Sequence, residues 1–224
     1  GQGSQYVNML NGLRETEPIV TRIFEDADRT MEPLLGKPLT ECIYLDKTDE
    51  AALKEAEDNL KQTAITQPAV LATENAIAGM LGAYGITPDM VMGHSLGEYG
   101  ALVASGALPF EQALEAVSAR GREMAAVSMD DNGLMAAVFA PLDQIREVVD
   151  ATEGNVVIAN INSNSQAVIG GASDAVTRAA RTFEEKGVDV AMLPVSHAFH
   201  TSIVAPASEP LKKVLQRMTL RPPQ

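Results

Sequence analysis

Apolar positions fall into two textures along the chain, and the change comes at Gly133. Before it, apolar residues recur mainly at helical spacing. Residues 1–40 read as helical segments with breaks at Pro18 and Pro33, and Glu50 to Leu60 reads as another helix. Pro68 is placed to open a long apolar helix running to about Gly82, since proline suits a first helical turn. Met90 to Met92 is a short apolar run of the kind a buried strand shows, and Glu98 to Ser105 returns to helical period. Pro109 then opens a helix to about Ala126, with Ala113, Ala116 and Val117 on one face.

After Gly133 the runs shorten. Strands are predicted over 134–139, 156–161, 166–169 and 188–193, with helices over 142–150 and 173–186. That order, β-α-β-β-α-β, is ferredoxin-like. Pro206 to Met218 reads as a last helix. The predicted fold class is α/β. A large α/β-hydrolase-like subdomain with a parallel sheet, residues 1–132 and 195–224, carries an inserted ferredoxin-like lobe, residues 133–194.

One stretch of the larger part carries chemistry. Val91-Met92-Gly93-His94-Ser95-Leu96-Gly97-Glu98 reads Gly-x-Ser-x-Gly between an apolar run and a helical pattern. This is the layout of a nucleophile elbow, in which small residues let a strand turn sharply into a helix and the serine hydroxyl stands out at the turn. The first N–H groups of that helix would lie beside it.

Serine is a poor nucleophile until a base takes its proton. The chain has three histidines, His94, His197 and His200. His94 neighbours Ser95 and should diverge from it. The run Ser196-His197-Ala198-Phe199-His200 follows the last predicted lobe strand, and spacing alone does not choose between its two histidines.

Composition narrows the setting. There are 17 Lys and Arg against 30 Asp and Glu, a net charge of −13, which argues against nucleic acid or an anionic membrane as the main partner. The single Cys42 rules out an internal disulfide and points to a reducing, cytoplasmic setting. No apolar run is long enough to span a membrane. Three His and one Cys give no metal-ligand cluster, so no metal is expected.

Five motifs now appear in order: Gly1-Gln2-Gly3-Ser4-Gln5, Thr66-Gln67-Pro68-Ala69, the elbow, Arg120-Gly121 and His197-Ala198-Phe199-His200. Together they resemble the malonyl-CoA:acyl-carrier-protein acyltransferases of fatty acid and polyketide synthesis, over residues 1 to about 220. The resemblance implies transfer of a malonyl group from malonyl-CoA to the phosphopantetheine thiol of an acyl carrier protein. Ser95 would be the nucleophile and His200 the base, in a cleft between the two subdomains. The backbone N–H groups of Gln2 and Leu96 would form the oxyanion hole.

Arg120 would grip the malonyl carboxylate; Arg122, about 200° further round the helix, would face away. Gln67, His94, Phe199, His197, Asn160 and Asn162 would line the acyl and pantetheine path. Leu96 with the His197–His200 run resembles the malonyl-selecting members. No cofactor of the protein's own is implied, since coenzyme A arrives with the substrate. The termini read as those of an excerpt, with neighbouring synthase domains as further partners. Two other readings share the elbow: a serine hydrolase such as a thioesterase, and a non-catalytic docking domain.

Overall fold

The computed structural model describes residues 2–45 and 49–224, so Gly1 of the opening motif lies outside the described residues. The chain divides into two compact units, one of Gly1–Met124 with Pro210–Gln224, the other Ala125–Glu209. The second unit is wider than the span 133–194 drawn from the sequence, because 125–132 and 195–209 also pack within it.

The first unit is helical among its described residues. Its elements are α1 (Asn11–Thr16), α2 (Pro18–Leu35), α3 (Thr40–Ile43), α4 (Glu50–Leu60), α5 (Thr63–Ala83), α6 (Gly97–Ala104), most of α7 (Phe110–Ala126) and, at the far end of the chain, most of α10 (Ser208–Leu215). Phe24, Met31, Leu39, Leu60, Leu71, Leu96 and Leu114 are almost wholly buried in one core. The α4 helix falls where the apolar spacing predicted it, capped by Asp49, whose Oδ1 accepts from the Ala51 N–H at 3.1 Å.

Four expectations need correction here. Pro33 does not break the chain but lies inside α2, near its C-terminal end. Pro68 does not open α5, which starts five residues earlier at Thr63. Burial of every residue from Thr66 to Ala72 outweighs the one backbone bond that an interior proline forfeits. Met90–Met92 is not a buried strand. Met90 and Met92 are 90% and 94% exposed, and no strand pairs with the run among the described residues. An apolar run becomes a strand only when a neighbour takes its hydrogen bonds. The last helix begins at Ser208, after a 3₁₀ turn over Ser202–Ala207 that contains Pro206, and ends at Leu215.

The second unit has the predicted order: β1 (Leu134–Phe139), α8 (Leu142–Ala151), β2 (Val156–Ser163), β3 (Gln166–Gly171), α9 (Ser173–Glu185) and β4 (Asp189–Met192). The sheet order is β2-β3-β1-β4 and every pairing is antiparallel. Ala136 pairs with Ile169 and Val138 with Ala167, and this face packs with Ile145, Val149, Val176 and Phe183 of α8 and α9. The opposite face, with Met135, Ala137, Val168 and Gly170, meets the chain after β4: a β-carbon on Gly170 would sit 3.1 Å from Thr201 Cγ2. The register of β2 against β3 shifts twice, between Ile158 and Asn160 and between Ile161 and Ser163.

A single carboxylate ties the entrance of β1 to α9. Asp131 accepts from the Ser173 N–H at 2.8 Å, the Ser173 hydroxyl at 2.5 Å and the Gly133 N–H at 2.9 Å. These bonds, led by the Ser173 hydroxyl, hold its carboxyl below the usual carboxylate range. A depressed folded pKa gives stability that is present above the unfolded value, near 4, and is lost as pH falls through the folded value. Asp131→Asn should therefore lower the melting temperature at pH 7, with the gap to the parent closing as pH drops below about 4. A gap independent of pH in thermal melts from pH 2 to pH 7 would show that the charge contributes nothing.

Candidate functional site

Ser95 stands at a turn that few residue types could form. Its φ is 53°, in the left-handed region that residues with a β-carbon rarely occupy. The turn closes by N–H donation from Gly97 to the His94 carbonyl at 3.0 Å, from Glu98 to Ser95 at 3.2 Å and from Tyr99 to Leu96 at 3.1 Å. Leu96, wholly buried, is the N-cap of α6, where the first N–H groups lack partners inside the helix. Ser95 itself is half-buried and His94 is exposed.

The two glycines of the motif are not equivalent. A β-carbon on Gly93 would lie 2.1 Å from both the Gly97 carbonyl carbon and its oxygen, and 2.3 Å from the Glu98 nitrogen. One on Gly97 would meet only Glu74 Oε1, at an ordinary 3.9 Å. Gly93→Ala should cost about 3 kcal/mol or more, since backbone cannot step aside. Gly97→Ala should leave the melting temperature within about 2 °C of the parent, a change worth well under 1 kcal/mol. Equal melting temperatures for the two variants would refute this asymmetry.

Beside the elbow is an open cavity of roughly 350 Å³, lined by Glu74, Asn75, Met92, Gly93 and His94 among others, but not by Ser95.

Arg120 lies on α7, half-buried, while Arg122 is exposed. The neighbourhood of α7 is fixed by Gly121, where a β-carbon would fall 2.5 Å from the Thr63 carbonyl oxygen and 2.7 Å from Ala64 Cα. Burial pushes the Arg120 guanidinium pKa down, against the favourable field of Tyr99 and Glu98. Among the described residues it makes no ion pair or side-chain hydrogen bond. Tyr99 and Glu98, at the start of α6, are its charged and polar neighbours, and the sequence reading did not find them. Their positions immediately after the elbow were the available signal.

Gln67 is wholly buried on α5. Its Nε2 approaches Gln2 Oε1 at 3.4 Å and Met124 Sδ at 3.8 Å, and its Oε1 has no partner. The structure thus brings Gln2, which is exposed, next to Gln67.

In the second unit, His197 is buried, Phe199 is 9% exposed and His200 is exposed. The rings of His197 and Phe199 are 6.2 Å apart at 48°. His200 has φ 61°, the second left-handed residue among the expected site positions. Asn160 is half-buried and pairs with Val168, which sets it on the sheet face away from α8 and α9; Asn162 is exposed. Both lie in or beside the register shifts of β2, and bulges commonly re-aim side chains in this way.

A serine elbow in one unit and a ferredoxin-like lobe in the other define a two-subdomain α/β class. The chain belongs to the acyl transferase domain family, whose model matches residues 1–224. It is 38% identical over 226 residues to a malonyl CoA-acyl carrier protein transacylase of Bacillus subtilis, covering 99% of this chain and 67% of that protein. The solved malonyl CoA-acyl carrier protein transacylase of Coxiella burnetii superposes with a TM-score of 0.88 at 34% identity, covering 100% of this chain and 68% of that one. The acyltransferase domain from the second module of the salinomycin polyketide synthase gives 0.87 at 31%, covering 100% and 49%. The chain thus spans about two thirds of the stand-alone transacylases and half of the solved synthase domain. No helix among the described residues is long and apolar enough to cross a membrane.

Proposed function

We propose that the chain transfers a malonyl group from malonyl-CoA to the phosphopantetheine thiol of an acyl carrier protein. Ser95 attacks the thioester carbonyl, the coenzyme A thiolate leaves, and the malonyl group is held as a serine ester. His200 takes the Ser95 proton and passes it to the departing sulfur; it then takes the proton of the incoming pantetheine thiol and returns it to Ser95 Oγ as the ester is resolved. The N–H groups of Leu96 and Gln2 receive the oxyanion; losing one such donor typically costs about 3 kcal/mol.

The observation that carries this reading is the cation at Arg120. A half-buried guanidinium with no ion pair among the described residues calls for an anion, and its fork fits a carboxylate by two parallel hydrogen bonds. The relatives are malonyl CoA-acyl carrier protein transacylases, which agrees with a free carboxylate on the acyl unit. Gln67, His94, Phe199, Asn160 and Asn162 are proposed to line the acyl and pantetheine path. The steps need no cofactor of the protein's own. Stand-alone transacylases and synthase domains are alike among the similar proteins, and neighbouring synthase domains are proposed as further partners. A cytoplasmic setting is supported by the lone, buried thiol of Cys42.

Mass spectrometry after mixing with malonyl-CoA tests the nucleophile and the acyl choice together. The expected result is one malonyl adduct on Ser95, stable in buffer and discharged rapidly by carrier protein. An adduct lost equally fast without carrier protein would make the chain a hydrolase, and no adduct would leave only a docking role.

A further inference from the structure

The turn that carries His200 is fastened by a histidine that the proposed chemistry leaves unused. His197 is 6% exposed. Its Nε2 lies 2.8 Å from the carbonyl oxygen of Val127, a residue 70 positions earlier in the chain. A carbonyl only accepts, so the ring proton sits on Nε2. In the neutral ring Nδ1 is then an acceptor, and the Ser196 hydroxyl, 3.0 Å away, donates to it. Both ring nitrogens are therefore committed, and neither is available to a substrate proton.

The neighbouring contacts close the turn around the same anchor. The Ala198 N–H donates to the Asn132 carbonyl at 2.9 Å, and Phe199 N–H to the His197 carbonyl at 3.0 Å. A β-carbon on Gly133 would lie 2.8 Å from Ala198 Cβ and 2.5 Å from Ile203 Cδ1, so the two segments lie against each other without slack. Downstream, Thr201 Oγ1 donates to the Ala198 carbonyl at 2.6 Å and accepts from the Ile203 N–H at 3.2 Å. Between these fixed points His200 sits at φ 61°. The left-handed conformation costs a residue with a β-carbon about 1–2 kcal/mol, and it persists only where the surroundings over-determine it.

We propose that His197 is a positioning residue for His200: its Nε2–H bond to the Val127 carbonyl holds the 196–201 turn in the one conformation that presents His200 for proton transfer. This rests on the reading of His200 as the base and goes beyond it. The element it relies on is a single donor at the Nε2 position. An imidazole ring as such is not required. A glutamine, whose terminal NH₂ stands close to where Nε2–H stands, should supply that donor. A leucine of similar volume should leave the Val127 carbonyl buried and unpaired.

The test compares His197→Gln and His197→Leu for the rate of acyl-serine formation at saturating malonyl-CoA, the half-saturation concentration and the melting temperature. His197→Leu should lose roughly 100-fold in rate, the size of effect expected from a small misplacement of a catalytic group, with half-saturation within about twofold of the parent. His197→Gln should recover most of that rate, to within about fivefold of the parent. A full rate in the leucine variant, a loss seen only in half-saturation, or a glutamine variant as slow as leucine would each overturn the proposal. The first would make His197 core filler, the second a pocket wall and the third a proton carrier. Nitrogen-15 NMR of the parent protein gives an arm that needs no variant. A single, slowly exchanging Nε2–H tautomer is expected at His197, and an Nδ1–H tautomer would overturn the anchor. His200→Ala separates the two levels of inference, because a parent-like acylation rate in that variant removes the base reading itself.

Discussion

Ser95→Ala should take up no malonyl group from malonyl-CoA while keeping the melting temperature of the parent. The side chain is lost from a position where the backbone is already set: the three tight N–H bonds from Gly97, Glu98 and Tyr99 use only main-chain acceptors. Alanine carries the same β-carbon into the same left-handed conformation, so its cost is unchanged. What disappears is the hydroxyl proposed to form the ester. In serine enzymes working through a base, removal of the nucleophile costs about a million-fold in turnover. Ser95→Gly should be equally inactive and no less stable than Ser95→Ala, because glycine relieves the strain at φ 53° and gives back part of that gain as backbone entropy. Intact-mass measurement over minutes, with melts of both variants, decides it. A malonyl adduct forming on Ser95→Ala at the parent rate would place the nucleophile elsewhere.

That position was legible in the sequence because every part of it is local. The Gly-x-Ser-x-Gly spacing, the apolar run before it and the helical period after it lie within the 16 residues from Met90 to Ser105. The second unit was legible for a similar reason. Its strands alternate or run apolar over four to eight residues and are bounded by turns, and its two helices carry strong apolar stripes, so the β-α-β-β-α-β order could be read directly. What failed depended on partners far along the chain. Met90–Met92 has the composition of a buried strand, but its burial depends on neighbours that sequence pattern does not specify. Pro68 carries a strong local signal for a helix start, and tertiary burial overrode it. The bond from His197 to Val127 joins residues 70 positions apart, and no periodicity announces it. The setting of Arg120 lay between these extremes. Its helix and outward partner Arg122 followed from spacing, whereas Tyr99 and Glu98 reach it from a different helix.

Arg120→Ala should separate malonyl from acetyl loading. In the parent the guanidinium is half-buried, its charge disfavoured by burial and answered among the described residues only by the weaker fields of Tyr99 and Glu98. A malonyl carboxylate would satisfy it with a charge-assisted, two-pronged bond. Removing one partner of such a pair typically costs about 2–4 kcal/mol, because the other charge is then left desolvated. That corresponds to roughly 30- to 1,000-fold in kcat/KM for malonyl-CoA. An acetyl group has no carboxylate, so in the parent it leaves the arginine unanswered and gains nothing from it. In Arg120→Ala, acetyl loading should be unchanged or improved, and the preference between the two acyl-CoA substrates should collapse. Arg120→Lys keeps the charge but not the fork, and should fall between the parent and alanine for malonyl. Arg122→Ala, at an exposed position on the same helix, should change neither substrate. Competition between malonyl-CoA and acetyl-CoA, read as the ratio of the two adducts on Ser95, gives the answer in one experiment. Equal losses on both substrates would show that Arg120 supports the fold of α7 and does not bind the carboxylate. A collapse confined to malonyl would tie substrate choice to this one cation.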